Sequence, residues 1–188
     1  TIVFTGDGGA SEGDFHEALN VASVWDLPVI FGIENNCWGL STPSAEQFRC
    51  KQFIDKGIGY GMEAIQINGN NILEVIRTIR SIREEQIKNP RPFLLEFMTF
   101  RMRGHEEASG TKYYPEGIQD EWEEFDPLTN YEAFLKDSGV LTDEIIEGSI
   151  IHPEGIIENG DIVISFNFRT DRPREITSVL TQEAFPDY

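Results

Sequence analysis

Two short polar segments near the N-terminus carry the residue types needed for metal and phosphate chemistry. Gly6-Asp7-Gly8-Gly9 follows an apolar run over residues 1–5, and Asn35-Asn36 follows a second apolar run over residues 28–34. Glycines let a backbone approach a ligand closely and expose N–H groups, which favour a phosphate. A carboxylate in such a loop would repel a phosphate unless a divalent cation lay between them. Together the segments predict a site for a metal ion and a diphosphate.

The metal that suits these residues is Mg²⁺. It takes about six oxygen ligands, commonly a carboxylate, neutral oxygens, water and phosphate. Asp7 supplies a carboxylate and Asn36 a side-chain amide oxygen, and the turn after Asn36 offers the backbone carbonyl of Trp38. We therefore expect these three residues to be the metal ligands.

The elements that must position these residues alternate between strands and helices. Both polar segments follow apolar runs typical of buried strands, and open α/β sheets bind ligands where parallel strands end. Further strands are predicted at 63–67 and 93–100, and helices from about Ser11, at about 45–56, and from Ile72. The helix from Ile72 carries an apolar stripe made of Ile72, Val75, Ile76, Ile79, Ile82 and Ile87. This order predicts an α/β fold with a parallel sheet covered by helices.

The second half of the predicted domain is less regular. Residues 101–118 form a long loop that contains His105, and loops of this length are usually functional or disordered. Short helices are predicted at 121–125 and 130–135, the second beginning after Asp126-Pro127.

Two other interpretations of the glycine loop stay open at this point. Gly6 and Gly8 after a strand are half of a dinucleotide-binding fingerprint, and Glu34 could bind a ribose hydroxyl. Ser11 stands where the third glycine should be, however, and the acid inside the loop has no role in that fingerprint. The other interpretation is a tight strand-to-helix turn without a ligand.

Composition excludes several classes of function. The fractions of apolar and charged residues, 39% and 26%, are those of a globular protein, and no apolar run reaches the length of a membrane span. The net charge of −18 disfavours nucleic acid and anionic lipid as partners. With only two cysteines, Cys37 and Cys50, and no CxxC motif, we expect a cytoplasmic location.

The glycine loop and the asparagines also carry a family resemblance. Residues 6–20, GDGGASEGDFHEALN, with Glu34-Asn35-Asn36, resemble the thiamine diphosphate motif of the alpha subunit of 2-oxo acid dehydrogenase first components. Residues 97–105, FMTFRMRGH, resemble the later strand and histidine loop of that family. The likeness covers about residues 1–147 and is closest to branched-chain-type and alpha–beta fused bacterial members.

The resemblance implies a cofactor, a metal and a set of site residues. Asp7, Asn36 and the Trp38 carbonyl would bind Mg²⁺, and His105 would be catalytic, facing thiamine diphosphate near the reacting centre. The residues that would line the diphosphate are Gly6, Gly8, Gly9 and Ala10. The family usually has Gly-Tyr where this chain has Cys37-Trp38, a change that a backbone ligand tolerates. Implied partners are a beta subunit or beta domain and a lipoyl-bearing acyltransferase.

The C-terminal segment resembles a different family. Residues 160–172, GDIVISFNFRTDR, resemble cofactor-independent phosphoglycerate mutases, in which the arginines matching Arg169 and Arg172 contact the phosphorylated substrate. This likeness covers about residues 152–188, and the nucleophilic serine and metal-binding clusters of that family have no counterpart. We therefore predict a dehydrogenase-like domain over 1–148 and a mutase-like strand–helix fragment over 149–188.

The first residues lie inside a strand typical of the middle of a parallel sheet. We accordingly expect an incomplete domain that is inactive alone. The alternatives are a mutase fragment and a non-catalytic fusion remnant.

Overall fold

A computed structural model describes residues 1–106, 108 and 110–139. The chain divides into two units, Thr1–Glu144 and Ile145–Tyr188, and every described residue belongs to the first. Within these residues, none of the helices combines the length and the apolar character required to cross a membrane.

The described residues form six strands and six α-helices. The strands are β1 (Ile2–Gly6), β2 (Ile30–Asn35), β3 (Trp38–Gly39), β4 (Thr42–Pro43), β5 (Glu63–Asn68) and β6 (Phe93–Met98). The α-helices are α1 (Gly13–Val24), α2 (Ser44–Gln47), α3 (Asp55–Tyr60), α4 (Ile72–Lys88), α5 (Ile118–Glu123) and α6 (Pro127–Asp137). A 3₁₀ turn over Gly9–Ser11 precedes α1.

Four of the strands form one parallel sheet in the order β1-β2-β6-β5. This arrangement confirms the predicted α/β fold with a parallel sheet and flanking helices. Gly6 pairs with Glu34, and Asn35 pairs with Met98, so the polar segments after β1 and β2 start at the same edge of the sheet. The two remaining strands, β3 and β4, form a short antiparallel hairpin where the sequence predicts a loop.

Side chains of the sheet alternate between two hydrophobic clusters. Phe31 and Ile33 of β2 and Leu94 of β6 pack with Leu19 of α1 on one face. The opposite face is built from Ile30, Ile67, Ile82, Phe93, Leu95 and Phe97, with α4 packed over it. Residues one apart on a strand point to opposite faces, so both faces of the central strands are covered.

Helix α4 packs Val75, Ile79 and Ile82 of the predicted stripe against the sheet, but not the last residue of that stripe. Ile87 is 67% exposed, whereas the neighbouring Gln86 is buried. The Gln86 amide donates hydrogen bonds of 3.2 Å to the carbonyl of Val29 and 2.8 Å to that of Arg91. A buried amide is favourable when its hydrogen bonds are satisfied. The end of the helix therefore anchors the starts of β2 and β6 through a polar contact.

The predicted helix over about 45–56 is wrong, because the structure has two short helices, α2 and α3, with irregular chain between them. Phe48 and Phe53 in that chain pack edge to face with ring centroids 4.6 Å apart. The start of the first helix also differs: α1 begins at Gly13, and Ser11 Oγ donates to the Gly8 carbonyl instead of capping the helix.

Candidate metal and diphosphate cleft

A cleft of about 610 Å³ lies at the carboxyl edge of β1 and β2. It brings together seven of the residues predicted to form the site: Gly6, Asp7, Gly8, Gly9, Asn36, Trp38 and His105. These residues come from three separate loops, so the fold assembles what the sequence shows as distant segments. Arg101 also lines the cleft, and among the described residues it is the only arginine or lysine that does so.

Asp7 is almost completely buried, with 2% of its surface exposed. Ser44 Oγ, at the first residue of α2, donates a 2.6 Å hydrogen bond to Asp7 Oδ2. Within the described part of the chain, no group donates a hydrogen bond to Oδ1. A buried carboxylate is costly unless it is paired or binds a metal. The half-satisfied Asp7 is therefore well suited to binding a cation.

The segment after β2 is shaped by a turn at Asn36. Asn36 Oδ1 accepts a 3.0 Å hydrogen bond from the Trp38 N–H, which leaves this oxygen one further lone pair. Trp38 pairs with Pro43 across the hairpin, and the Ser44 N–H donates to the Cys37 carbonyl. Residue pairs in an antiparallel hairpin alternate between hydrogen-bonded and non-hydrogen-bonded, and the Trp38–Pro43 pair is of the second kind. Pro43 also has no N–H, so β4 supplies no donor to the Trp38 carbonyl. That carbonyl keeps its capacity to bind a metal.

The glycine loop folds into the 3₁₀ turn that precedes α1. The backbone N–H groups of Gly8 and Gly9 donate no hydrogen bond to any acceptor among the described residues. Free N–H groups that precede a helix favour the binding of an anion. A Cβ at Gly9 would collide with Thr5 Oγ1, whereas a Cβ at Gly6 would meet no atom within 4 Å. Gly9 is thus required for close packing, and Gly6 leaves open space.

Ala10 lies elsewhere than the other predicted residues of this loop. It is completely buried in the cluster of α1 and β2 and does not line the cleft. Its N–H donates to the Asp7 carbonyl at 3.2 Å. The structure therefore places Ala10 in the core, where it supports the turn.

Arg101 and His105 lie on the loop that follows β6. Arg101 Nη2 donates to the Leu40 carbonyl at 2.6 Å and to the Tyr113 hydroxyl at 3.0 Å, and Nη1 lies 3.3 Å from His105 Nδ1. Arg101 Nε is buried without an acceptor among the described residues. The loop thus positions a guanidinium beside the predicted catalytic histidine.

Two tyrosines surround this guanidinium. Although burial disfavours its charge, hydrogen bonds with Tyr113 and Tyr114 raise the pKa of Arg101, so it stays cationic. Burial, followed by the hydrogen bond with Tyr113, raises the pKa of Tyr114 to about 12. The Tyr114 hydroxyl donates a 2.9 Å hydrogen bond to the Arg101 carbonyl. Tyr114 is neutral at physiological pH and fixes the backbone at Arg101.

Asn35, the first of the two asparagines, uses both the nitrogen and the oxygen of its side-chain amide in hydrogen bonds within the protein. Nδ2 donates a 2.7 Å hydrogen bond to Oε1 of Glu96, and Oδ1 accepts a 2.9 Å hydrogen bond from the Cys37 N–H. Of the two asparagines only Asn36 lines the cleft, so Asn35 has a structural role and Asn36 alone is accessible to a ligand there.

Sequence reasoning missed Ser44, Arg101 and Glu96. Glu96 had the clearest signal, because it is the only charged residue in the apolar run of β6. A charge in a buried strand requires partners. Arg101 directly follows the predicted strand, whereas nothing local marks Ser44, whose partner lies 37 residues away.

The residues of the cleft fit a divalent cation bound with a diphosphate. One carboxylate, one amide oxygen and one backbone carbonyl are hard oxygen donors of the kind Mg²⁺ takes when phosphate and water complete its shell. The free N–H groups of the glycine turn and the Arg101 guanidinium suit the phosphate oxygens. Among the described residues, no group of three or more His, Cys, Asp or Glu side chains forms an all-protein metal site.

Comparison with known proteins identifies the family. Residues 1–159 match the family described as Dehydrogenase E1 component. The chain belongs to this family. It is 39% identical over 145 residues to the 2-oxoisovalerate dehydrogenase subunit alpha of Bacillus subtilis, covering 77% of this chain and 44% of that protein. It is 38% identical over 145 residues to the pyruvate dehydrogenase E1 component subunit alpha of the same organism, covering 76% of this chain and 39% of that protein.

A third relative, the 2-oxoisovalerate dehydrogenase subunit alpha 1 of Arabidopsis thaliana, is 40% identical over 147 residues, covering 77% of this chain and 31% of that protein. The chain thus spans less than half the length of these E1 relatives. Their alignments support the alpha subunit as the part of the E1 component to which the chain corresponds.

The predicted mutase-like fragment lies outside the described residues. Arg169 and Arg172 belong to that part of the chain, and the E1 family match runs to residue 159, beyond the predicted boundary at Gly148. The boundary, the fragment and its substrate-binding arginines stay predictions.

Proposed function

We propose that the cleft is the Mg²⁺ and thiamine diphosphate half-site of the alpha subunit of a 2-oxo acid dehydrogenase. The observation that carries the proposal is the meeting of Asp7, Asn36, Arg101 and His105 in one cleft. A tight turn without a ligand would not require a buried carboxylate with a free oxygen. A dinucleotide site would not require that carboxylate either.

Each residue has a role that follows from its chemistry. Asp7 Oδ1, Asn36 Oδ1 and the Trp38 carbonyl hold the metal, and Ser44 keeps the Asp7 carboxylate in one orientation. The N–H groups of the glycine turn and the Arg101 guanidinium bind the diphosphate. The Asp7 carboxylate alone would repel the negatively charged diphosphate. The positive charges of the metal and of the Arg101 guanidinium offset this repulsion.

His105 is the proton-transferring group of this half-site. Its Nδ1 faces an N–H of Arg101, and an arginine can only donate hydrogen bonds. Nδ1 is therefore the acceptor, which assigns the proton of the neutral ring to Nε2. Nε2–H is then the donor available to a reacting group in the cleft. Thiamine diphosphate, when bound, supplies the carbanion stabilisation needed to decarboxylate a 2-oxo acid.

The wider reaction and its partners belong to the same proposal. The names of the relatives include the 2-oxo acids 2-oxoisovalerate and pyruvate, which supports 2-oxo acids as the substrate class. Those names also contain "subunit alpha", which supports a beta subunit or beta domain as the partner. We place transfer of the acyl group to a lipoyl-bearing acyltransferase, and a cytoplasmic location, in this proposal as well.

Calorimetric titration of the whole 188-residue chain with thiamine diphosphate tests the proposal. We expect binding in the presence of Mg²⁺ and its loss with a chelator. Thiamine, which lacks the diphosphate, is expected to bind much more weakly. Asp7→Asn keeps the size of the side chain but removes the charge, and it is expected to abolish the Mg²⁺ dependence. Equal affinity with Mg²⁺ and with chelator in the wild-type chain would refute the metal assignment.

A further inference from the structure

The described residues contain one completely buried carboxylate besides the nearly buried Asp7, and it lies on β6. Glu96 of β6 has 0% of its surface exposed and forms no ion pair within the described part of the chain. Its charge is stabilised by N–H donors instead. Oε1 accepts from Asn35 Nδ2 at 2.7 Å, and Oε2 accepts from the N–H groups of Phe53 and Ile54 at 2.9 and 3.2 Å.

These contacts connect Glu96 to the backbone of residues 36–38, which we call the metal-binding loop. Asn35 uses its other end, Oδ1, to hold the Cys37 N–H at 2.9 Å. Cys37 lies between Asn36 and Trp38, the two residues of this loop that line the cleft as candidate metal ligands. A chain of two hydrogen bonds therefore runs from the Glu96 carboxylate to the loop that presents the ligands.

The backbone at Cys37 needs such support. Its φ of 66° lies in the left-handed region, which disfavours residues other than glycine. A strained conformation persists only when surrounding contacts hold it. The hydrogen bond from the Cys37 N–H to Asn35 is one such contact.

We infer that Glu96 is a positioning residue that sets the conformation of the metal-binding loop through Asn35. This inference rests on the proposed function of the cleft. Glu96 itself does not line the cleft. It acts because an ionised carboxylate only accepts hydrogen bonds, which fixes the orientation of the Asn35 amide.

The donor and acceptor pattern explains why a glutamine would not substitute for Glu96. With its carbonyl oxygen toward Phe53 and Ile54, the NH₂ group of a glutamine would face Asn35 Nδ2, which is also a donor. Asn35 could turn its oxygen toward the glutamine, but its NH₂ group would then face the Cys37 N–H. Either arrangement leaves two donors opposed, and the second disrupts the metal-binding loop directly.

The same pattern predicts a rescue. Asn35→Asp alone brings two carboxylates together in a buried place and is expected to impair the loop. In the double variant Asn35→Asp with Glu96→Gln, the glutamine NH₂ donates to the aspartate, and the aspartate still accepts from the Cys37 N–H. Each donor again faces an acceptor, and the net charge equals that of the wild-type chain.

The experiment is a double-mutant cycle on the whole chain, measured by calorimetry with Mg²⁺ and thiamine diphosphate. Glu96→Gln and Asn35→Asp are each expected to lower affinity by about tenfold or more, as is typical of residues that orient metal ligands. The double variant is expected to recover most of the affinity. Glu63→Gln, an equal charge change on the neighbouring strand β5, is the control and should leave affinity unchanged.

A second readout is independent of the ligand. In a Cys50→Ser background, the rate at which Cys37 reacts with an aromatic disulfide reagent reports the conformation of the loop. Burial and the charges of Asp7 and Glu96 raise the pKa of the Cys37 thiol, so the rates are compared at a pH high enough to ionise the thiol fully in both proteins, and Glu96→Gln is expected to change the rate severalfold. If Glu96→Gln does not fold, Asn35→Ala removes the same link while Glu96 keeps its bonds to Phe53 and Ile54. It should also weaken binding.

Wild-type affinity in Glu96→Gln, or a double variant no better than the single variants, would overturn the inference. A purely structural role would lower the free energy of unfolding and leave the affinity of the folded protein intact. If the wild-type chain binds no thiamine diphosphate, the proposed function fails. The inference about Glu96 is then tested by the reaction rate of the Cys37 thiol alone. A rate that Glu96→Gln leaves unaltered overturns the role of Glu96.

Discussion

The hydroxyl of Ser44 donates a 2.6 Å hydrogen bond to Oδ2 of Asp7. It joins the first residue of α2 to the glycine loop after β1, two elements that are far apart in the sequence. Because Asp7 is almost completely buried, this donor offsets part of the cost of its charge and orients its second oxygen.

We predict that Ser44→Ala lowers the Mg²⁺-dependent affinity for thiamine diphosphate by about tenfold, since a hydrogen bond to a charged group contributes about 1.5–3 kcal/mol. Calorimetry with the purified variant checks the change. Ser41→Ala, at an exposed serine of the same hairpin, is the matched control. Equal affinities of the two variants would contradict an orienting role for Ser44.

The two glycines of the loop are predicted to respond differently to alanine. Gly9→Ala should lower the free energy of unfolding by about 1–3 kcal/mol, because its Cβ collides with the side chain of Thr5. Gly6→Ala should leave stability nearly unchanged and weaken ligand binding, because its Cβ enters open space beside the cleft.

Denaturant unfolding and calorimetry on both variants separate these effects. Gly13→Ala at the start of α1, where a Cβ also meets no atom within 4 Å, is a control for the effect of alanine itself. A Gly6→Ala variant with unchanged affinity would mean that the ligand does not approach this backbone.

Cys37→Gly is predicted to raise the free energy of unfolding by about 1 kcal/mol, since glycine adopts a positive φ without the steric cost paid by Cys37. Cys37→Ala keeps that cost and removes the thiol, so it should give no such gain. Chemical denaturation of both variants provides the comparison. An equal gain from alanine would assign the effect to the thiol instead of the backbone.

His16 is predicted to make stability depend on pH. Burial, and then the positive charge of Lys56, lower the pKa of His16, whose Nδ1 lies 2.6 Å from the Tyr60 hydroxyl. The unfolded chain then binds more protons than the folded chain as pH falls below about 6.5, so the free energy of unfolding decreases there.

His16→Gln should reduce this loss of stability between about pH 7 and pH 5. Urea unfolding at several pH values measures it, with Tyr60→Phe as a variant that removes the hydroxyl partner and keeps the histidine. An identical pH dependence in His16→Gln and the wild-type chain would contradict the assignment.

The sheet and the two ligand loops could be predicted from the sequence because their signals are local. Apolar runs mark β1 and β2, and Gly6, Asp7 and Asn36 follow them directly. Helix α4 was also predictable, since Asn71 caps it and Asn89-Pro90 follows its last residue.

The features that local patterns missed depend on contacts between distant residues. The chain between α2 and α3 leaves the helical path because Phe53 is buried in the core and the N–H groups of Phe53 and Ile54 bind Glu96. The bond between Ser44 and Asp7 likewise exists only once the hairpin packs against the glycine loop. Neither relationship has a periodicity that a sequence could display.

The most direct test of the central claim is the position of the metal in crystals of the whole chain grown with Mn²⁺ and thiamine diphosphate. Anomalous diffraction from Mn²⁺ locates the ion without assumptions about the cofactor. We predict one ion in contact with the Asp7 carboxylate, Asn36 Oδ1 and the Trp38 carbonyl, with the diphosphate over the glycine turn. A bound diphosphate whose metal contacts neither Asp7 nor Asn36 would contradict the account.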